Sequence, residues 1–250
     1  MPLQKAEAIV LNKYDFRETS LIVNFYTRQF GKLSGLLKGF RREHGKFAST
    51  LEPFSYNEII FYHKRNSDLH LVSQCDLRYN FDAVRQDVSR AGLSNLMMEL
   101  VNTVMPAEEE NEEVFELSIL ALREIEKIRD PHKIITAFNI KMLALSGFKP
   151  HFDSCVCCGS KISGQAKFSF SFGGLLCPRC CLRDKSARNI YRGTVATILH
   201  IERNDFLHAL KLGMNPQIKK ELELVLNTFL NLHLGKELRS RKVLGQMGLL

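Results

Sequence analysis

The chain has 250 residues, enough for one large domain or two modest ones, and its 45% apolar content is that of a folded protein rather than a disordered one. A formal charge of +8 and a pI near 9.1 favour a polyanionic partner, nucleic acid ahead of anionic lipid. No run of eighteen apolar residues occurs, and the start MPLQKAEAIVLNKYDF lacks a basic segment followed by a long apolar one, so neither a membrane span nor a secretory leader is expected. A cytoplasmic location follows as the expectation, and there thiols stay reduced.

Residues 6 to 77 read as β-structure. AEAIVLNKYDF, SLIVNFYT, GKLSGLLKGF, SYNEIIFYH and LHLVSQCDL are short, rich in β-branched and aromatic residues, and divided by polar or Gly/Pro punctuation. Five strands in about eighty residues predict a small closed barrel, because closure removes unpaired edges. An OB-fold is the expected form, with an SH3-like barrel as the structural alternative. The second half of this region, RQFGKLSGLLKGFRREHGK, concentrates Arg28, Lys32, Lys38, Arg41, Arg42 and Lys46 against Glu43 alone. Such a strand and loop would form a phosphate-tracking groove on the barrel. Phe40 and Phe47 lie among these charges and are read as core rather than as stacking platforms.

After Asp82 the period changes to that of helices. AVRQDVSRAGLSNLMMELVNTVM ends before Pro106, and a second helix spans about Glu112 to Arg129, with Val114, Leu117, Ala121, Ile125 and Ile128 on one face. The acidic run EEENEE at 108–113 reads as the solvated start of that helix, where carboxylates meet the positive end of the dipole. A third helix opens at Asp130–Pro131 and stops near Gly147. Beyond residue 185, helices are expected at about 194–203, from about Asn204, and from Asn215–Pro216 to about His233. The basic group Lys236, Arg239, Arg241 and Lys242 at the end reads either as more nucleic-acid surface or as a mobile tail.

Six of the seven cysteines fall in CVCCGSKISGQAKFSFSFGGLLCPRCC, residues 155–181. Cys155/Cys158 and Cys177/Cys180 are two C-x-x-C pairs at the spacing of a four-cysteine zinc ribbon. Cys157 and Cys181 have no cysteine at that spacing and are read as spares. Two thiolates three residues apart on a tight turn can share an ion, and Gly159 allows the backbone angles that such a knuckle needs. Between the pairs, Phe168, Phe170 and Phe172 alternate with polar residues before Gly173–Gly174, a hairpin with one aromatic face. Four sulfurs close the coordination sphere, so one structural Zn2+ is expected. Disulfides, or a redox switch built on the C-x-C of Cys155 and Cys157, are the alternatives.

No Gly-rich phosphate loop, dinucleotide fingerprint or H-E-x-x-H occurs, and the eight histidines are scattered, so an enzyme is not expected. The predicted organisation is therefore α+β and multidomain. A five-stranded OB-type barrel at 1–80 precedes a helical domain at 81–250, with the zinc ribbon embedded at about 150–185.

The opening AEAIVLNKYDFRETSLIVNFYTRQFGKLSGLLKGFRR, with E-T-S-L, T-R-x-x-G-K and G-F-R-R, and the ribbon CVCCG…GGLLCPRC resemble the RecO family of bacterial recombination mediators over essentially the whole chain. The resemblance implies binding of single- and double-stranded DNA and annealing of complementary strands, including strands coated by single-strand-binding protein. It also implies partnership with a RecR-type mediator in loading a RecA-type recombinase, and contact with the acidic tail of single-strand-binding protein. By the same likeness Lys32, Lys38, Arg41 and Arg42 become the foremost DNA contacts, and the location becomes nucleoid-associated. A redox-sensing zinc chaperone and an RNA-binding OB protein are the competing readings from other classes.

Overall fold

The computed structural model describes residues 2–42, 47–64, 66–128, 130–162 and 164–249. Six strands open the chain: β1 (Leu3–Phe16), β2 (Ser20–Thr27), β3 (Gly31–Leu37), β4 (Phe47–Ala48), β5 (Tyr56–Tyr62) and β6 (Leu69–Tyr79). Antiparallel ladders give the order β3-β2-β1-β5-β6, and a parallel β3–β6 seam closes five of them into a barrel. The two-residue β4 adds only a short parallel pairing to β6. Strand β1 is long because it serves two partners, β5 through its first half and β2 through its second. A bulge between Val10 and Asn12 bends it from one to the other, as barrel curvature requires.

Period-two alternation builds the interior. Leu21, Val23 and Phe25 of β2, Leu33 and Leu37 of β3, Ile59 and Phe61 of β5, and Val72 and Cys75 of β6 all point inward. Phe47 is buried, Phe40 lies half-buried against the same core, and their rings are 5.5 Å apart, so both serve packing. A buried polar group is satisfied within this layer: Asn57 donates to the Ser55 carbonyl at 3.1 Å and accepts from Ser49 at 2.5 Å.

Helices α1 (Asp82–Arg85), α2 (Val88–Val104) and α3 (Glu112–Lys127) follow. Asp87 and Asn111 cap α2 and α3 by accepting the amides of Arg90 and Val114. Contacts divide the chain into two compact units. The first joins Met1–Pro131 to Leu238–Leu250, and the second is His132–Glu237. The returning segment explains the first grouping. Residues expected as surface or tail form α8 (Arg239–Gln246), which buries Leu244 where a Cβ on Gly92 of α2 would lie only 2.5 Å from it. No side chain of its own caps α8; the Glu99 carboxylate of α2 accepts the Arg239 and Ser240 amides at 2.8 and 2.7 Å instead.

The second unit begins with α4 (His132–Leu145) and continues with β7 (Ala166–Ser169), β8 (Gly174–Leu176) and β9 (Arg188–Ile190) in one antiparallel sheet. Helices α5 (Arg192–Arg203), α6 (Phe206–Ala209) and α7 (Pro216–Leu234) complete it. Asn215 caps α7 ahead of Pro216, where the helix was expected to start, and Leu222, Val225 and Phe229 are buried, whereas Leu232 is exposed. The expected aromatic face between the knuckles is shorter than its spacing implies. Phe168 is buried between Phe152 and Phe229, but β7 ends at Ser169, whose hydroxyl accepts the Phe172 amide, and Phe172 turns to solvent.

Gly31 sits at φ +60 with Glu109 backbone atoms 2.0 Å from where a Cβ would be. Gly31→Ala therefore combines left-handed strain with a clash, and its expected cost is about 2 kcal/mol or more. A urea titration followed by circular dichroism checks this through a lowered midpoint.

Candidate metal centre and nucleic-acid surface

The four cysteines of the two C-x-x-C pairs converge: their sulfurs all lie within 4.8 Å of one another. Each knuckle is held by backbone. Gly159, at φ +69, donates to the Cys155 carbonyl, and the Cys180 and Cys181 amides both donate to the Cys177 carbonyl. The sheet fixes the first knuckle, because the Val156 amide donates to the Leu175 carbonyl at 2.8 Å in β8. The Cys177 amide donates to the Cys155 sulfur at 3.4 Å, so the two knuckles brace each other. Cys155, Cys177 and Cys180 are buried with Leu176 and Ala187, and Cys158 stands at the rim. Cys157 is outside the sulfur set, and Cys181 turns its thiol to the Pro178 carbonyl. The C-x-C of the redox-switch alternative is thus not the register whose sulfurs meet.

The donor set fits a tetrahedral soft-ligand ion. Zinc–sulfur bonds of about 2.3 Å give tetrahedron edges of about 3.8 Å, and Cys158 and Cys177 are 3.8 Å apart. Sulfurs this close cannot share negative charge evenly without a cation. Hydrogen bonds from Ser160 hold the Cys158 thiol down at about 6, while burial and the neighbouring sulfurs push Cys180 up to about 12. A divalent ion removes that conflict, and with all four positions filled by protein it keeps no site for substrate.

The basic residues of the barrel divide into two groups. Arg28 is spent inside the first unit: it bonds Glu7 at 2.5 Å, Glu112 at 2.7 Å and Glu116, and lies 4.8 Å over the Phe115 ring. Although burial opposes its charge, those carboxylates hold it firmly protonated. Lys32 donates to the Asn102 carbonyl at 2.8 Å near the end of α2, and burial pulls its pKa down. Neither offers a free charge to a ligand, which revises their place among the expected contacts. Lys38, Arg41 and Arg42 are exposed, while Lys46 lies outside the described residues. The turn after β3 is tied to the β1–β2 hairpin by the Arg41 amide on the Thr19 carbonyl and by Arg41 on Asp15 at 2.6 Å. That juxtaposition adds Arg17, whose guanidinium lies 5.3 Å over the Phe16 ring. Nothing in the spacing of Arg17 marks it; only the hairpin brings it to Lys38, Arg41 and Arg42.

The acidic run is exposed and leads into α3, with Glu112 and Glu113 in its first turn as expected, but two of its carboxylates also have partners. Glu112 pairs with Arg28, the Glu108 amide donates to the Lys32 carbonyl, and the Glu108 carboxylate meets His70 at 2.9 Å and His63 at 3.6 Å. His63, His70 and Glu108 form a second cluster that scattered spacing conceals. Here the Lys64 amide donates to His70 Nδ1, so Nε2 carries the proton and donates to Glu108. His70 and Glu108 therefore form a hydrogen-bonded clasp between barrel and helix link, with the His63 ring stacked 4.9 Å from that of His70.

The family described as Recombination protein O N terminal matches residues 1–81, and Recombination protein O C terminal matches residues 85–242. The chain belongs to the recombination protein O family. Among its relatives, the DNA repair protein RecO of Syntrophus aciditrophicus is 30% identical over 97% of this chain and 95% of its own length. That of Alkaliphilus metalliredigens is 31% identical over 94% and 95%, and that of Listeria monocytogenes is 28% identical over 98% and 95%. Family membership and a closed barrel followed by a helical part with a cysteine cluster agree with the architecture expected from the residues alone.

Elemental analysis of the purified protein is expected to give one metal ion per chain. Cys155→Ser and Cys177→Ser should lose it and melt the second unit at lower temperature, while Cys157→Ser and Cys181→Ser retain it. Equal loss in all four variants would dissolve the assigned register.

Proposed function

We propose that this RecO family protein is a non-catalytic DNA-binding mediator of recombinational repair, with one structural Zn2+ on Cys155, Cys158, Cys177 and Cys180. The observation that carries the DNA reading is the exposed group Arg17, Lys38, Arg41 and Arg42 gathered at one end of the barrel. Four cations there, opposed by Asp15 and Glu18, leave a net positive surface that suits a phosphate backbone and imposes no sequence preference. By neutralising phosphates of two strands together, the surface lowers their repulsion so that base pairing nucleates, and no covalent step is needed. Family likeness supports the wider role: single- and double-stranded DNA as ligands, annealing of strands coated by single-strand-binding protein, and recombinase loading of the RecA type with a RecR-type partner, in the cytoplasm at the nucleoid. The barrel at 1–80 is the nucleic-acid-binding part in this reading. The cysteine cluster in the other unit serves folding.

The test uses complementary strands coated by single-strand-binding protein, with annealing followed by fluorescence energy transfer. The protein should accelerate pairing. Arg41→Glu with Arg42→Glu should remove the acceleration, weaken binding to both DNA forms, and lower the salt slope by about two units. Unchanged DNA affinity in the double variant would overturn this surface. Tighter binding to RNA than to DNA would favour the RNA-binding alternative.

A further inference from the structure

The barrel's outer surface carries an apolar row that its fold does not use. Outward positions of a water-facing antiparallel sheet are ordinarily polar. One cross-strand row obeys that rule: Asn12 pairs with Asn24, and Asn24 with Ser34, whose hydroxyl donates to Asn24 Oδ1 at 2.7 Å. Two residues along, the register lines up different side chains. Tyr14 pairs with Ile22, Ile22 with Leu36, Leu36 with Leu71 across the seam, Leu71 with Tyr62, and Tyr62 with Leu3. The row thus crosses every strand of the closed barrel. Ile22, Leu36 and Leu71 are half-buried, whereas Tyr14, Tyr62 and Leu3 are 55%, 38% and 56% exposed. Directly paired side chains on one face are about 5 Å apart, so these form a continuous strip.

The cations gather at the hairpin where one end of this strip lies. Phe16 shares the outward face of Tyr14 and has Arg17 5.3 Å over its ring, while Asp15, on the alternate face, ties Arg41 to the same hairpin at 2.6 Å. None of the six strip residues is charged. An apolar platform leading away from a basic edge complements a strand whose phosphates and bases are both exposed. It does not complement a duplex, which presents phosphates but keeps its bases stacked inside.

We propose that Tyr14 and the strip behind it are a base-stacking platform that gives this barrel its preference for single-stranded DNA. This rests on the DNA-binding reading above and deepens it. The basic cluster holds the backbone of either DNA form, Tyr14 stacks on the first unpaired base, and Ile22 and Leu36 extend the apolar floor. Duplex engages only the cations. Preference for unpaired over paired DNA thus resides in side chains without charge.

The chain has no tryptophan, which makes the test direct. Tyr14→Trp should bind oligo-dT as tightly as the unaltered chain, with its single indole emission quenched on binding and left unchanged by a duplex of equal length. Tyr14→Ala should lose about five- to hundred-fold in oligo-dT affinity, with duplex affinity and the salt slope unchanged. Tyr14→Phe should restore the affinity, since stacking does not need the hydroxyl. Full oligo-dT affinity in Tyr14→Ala, or equal loss on both DNA forms, would overturn the platform. So would sedimentation showing that the strip is covered by a second copy of the chain. The Arg41→Glu, Arg42→Glu variant in the same titrations separates the two claims. If its affinity falls while Tyr14→Ala binds normally, the platform fails and the DNA-binding surface stands. If its affinity is unchanged, both fail.

Discussion

The parallel seam between β3 and β6 spans only three residue pairs, Ser34–Leu69, Gly35–His70 and Leu36–Leu71, yet the first unit is arranged around it. Closure draws the strands so near that a Cβ on Gly35 would lie 2.6 Å from Val72. It also places His70 wholly inside, where both ring nitrogens need partners. One comes from the Lys64 amide and the other from Glu108, which adopts φ +55. The link before α3 is thereby fixed against β3, and α3 starts where Glu112 and Glu116 reach Arg28. Burying one imidazole at a barrel seam thus propagates into where a helix begins.

The parts of this fold legible in the sequence are those written in local chemistry. Alternation located five strands, Asn215–Pro216 announced a helix start, and the two C-x-x-C pairs named the sulfurs that meet. What stayed hidden depends on partners far along the chain. Helix α8 has no cap of its own and a charged surface, so its residues resemble a tail until Glu99 and the gap at Gly92 are in place. Arg28 lies in the same basic run as Arg41, and only the distant glutamates of α3 distinguish them. The run EEENEE is solvated as its composition suggests, but the pairing of Glu112 with Arg28, 84 residues away, could not be read from it. Phe172 shared a period with Phe168, but the strand ends at Ser169, whose hydroxyl accepts the Phe172 amide.

The two fates of the barrel's cations follow from how readily each can change partner. Arg41 and Asp15 are both well exposed, and such a pair contributes about 0–1 kcal/mol, so exchanging the carboxylate for another anion would cost little. Arg28 is held by three carboxylates and an aromatic face in a part-buried setting. Pulling it away would break three ion pairs and a ring contact together, so it is the less available of the two. Equal formal charge therefore means scaffold in one case and available surface in the other.

The chain leaves the first unit at Pro131 and rejoins it at Leu238, so the second unit is an insertion within the first. This ordering matters while the polypeptide is still being made. The second unit is contiguous in sequence, so all of its own contacts are within reach once residue 237 has emerged. The first is not: Gly92 and Glu99 are synthesised early, but the α8 amides that complete Glu99 follow about 140 residues later. Until residues 239–246 pack back, α2 carries an apolar gap at Gly92, and the Glu99 carboxylate lacks the two amides it accepts.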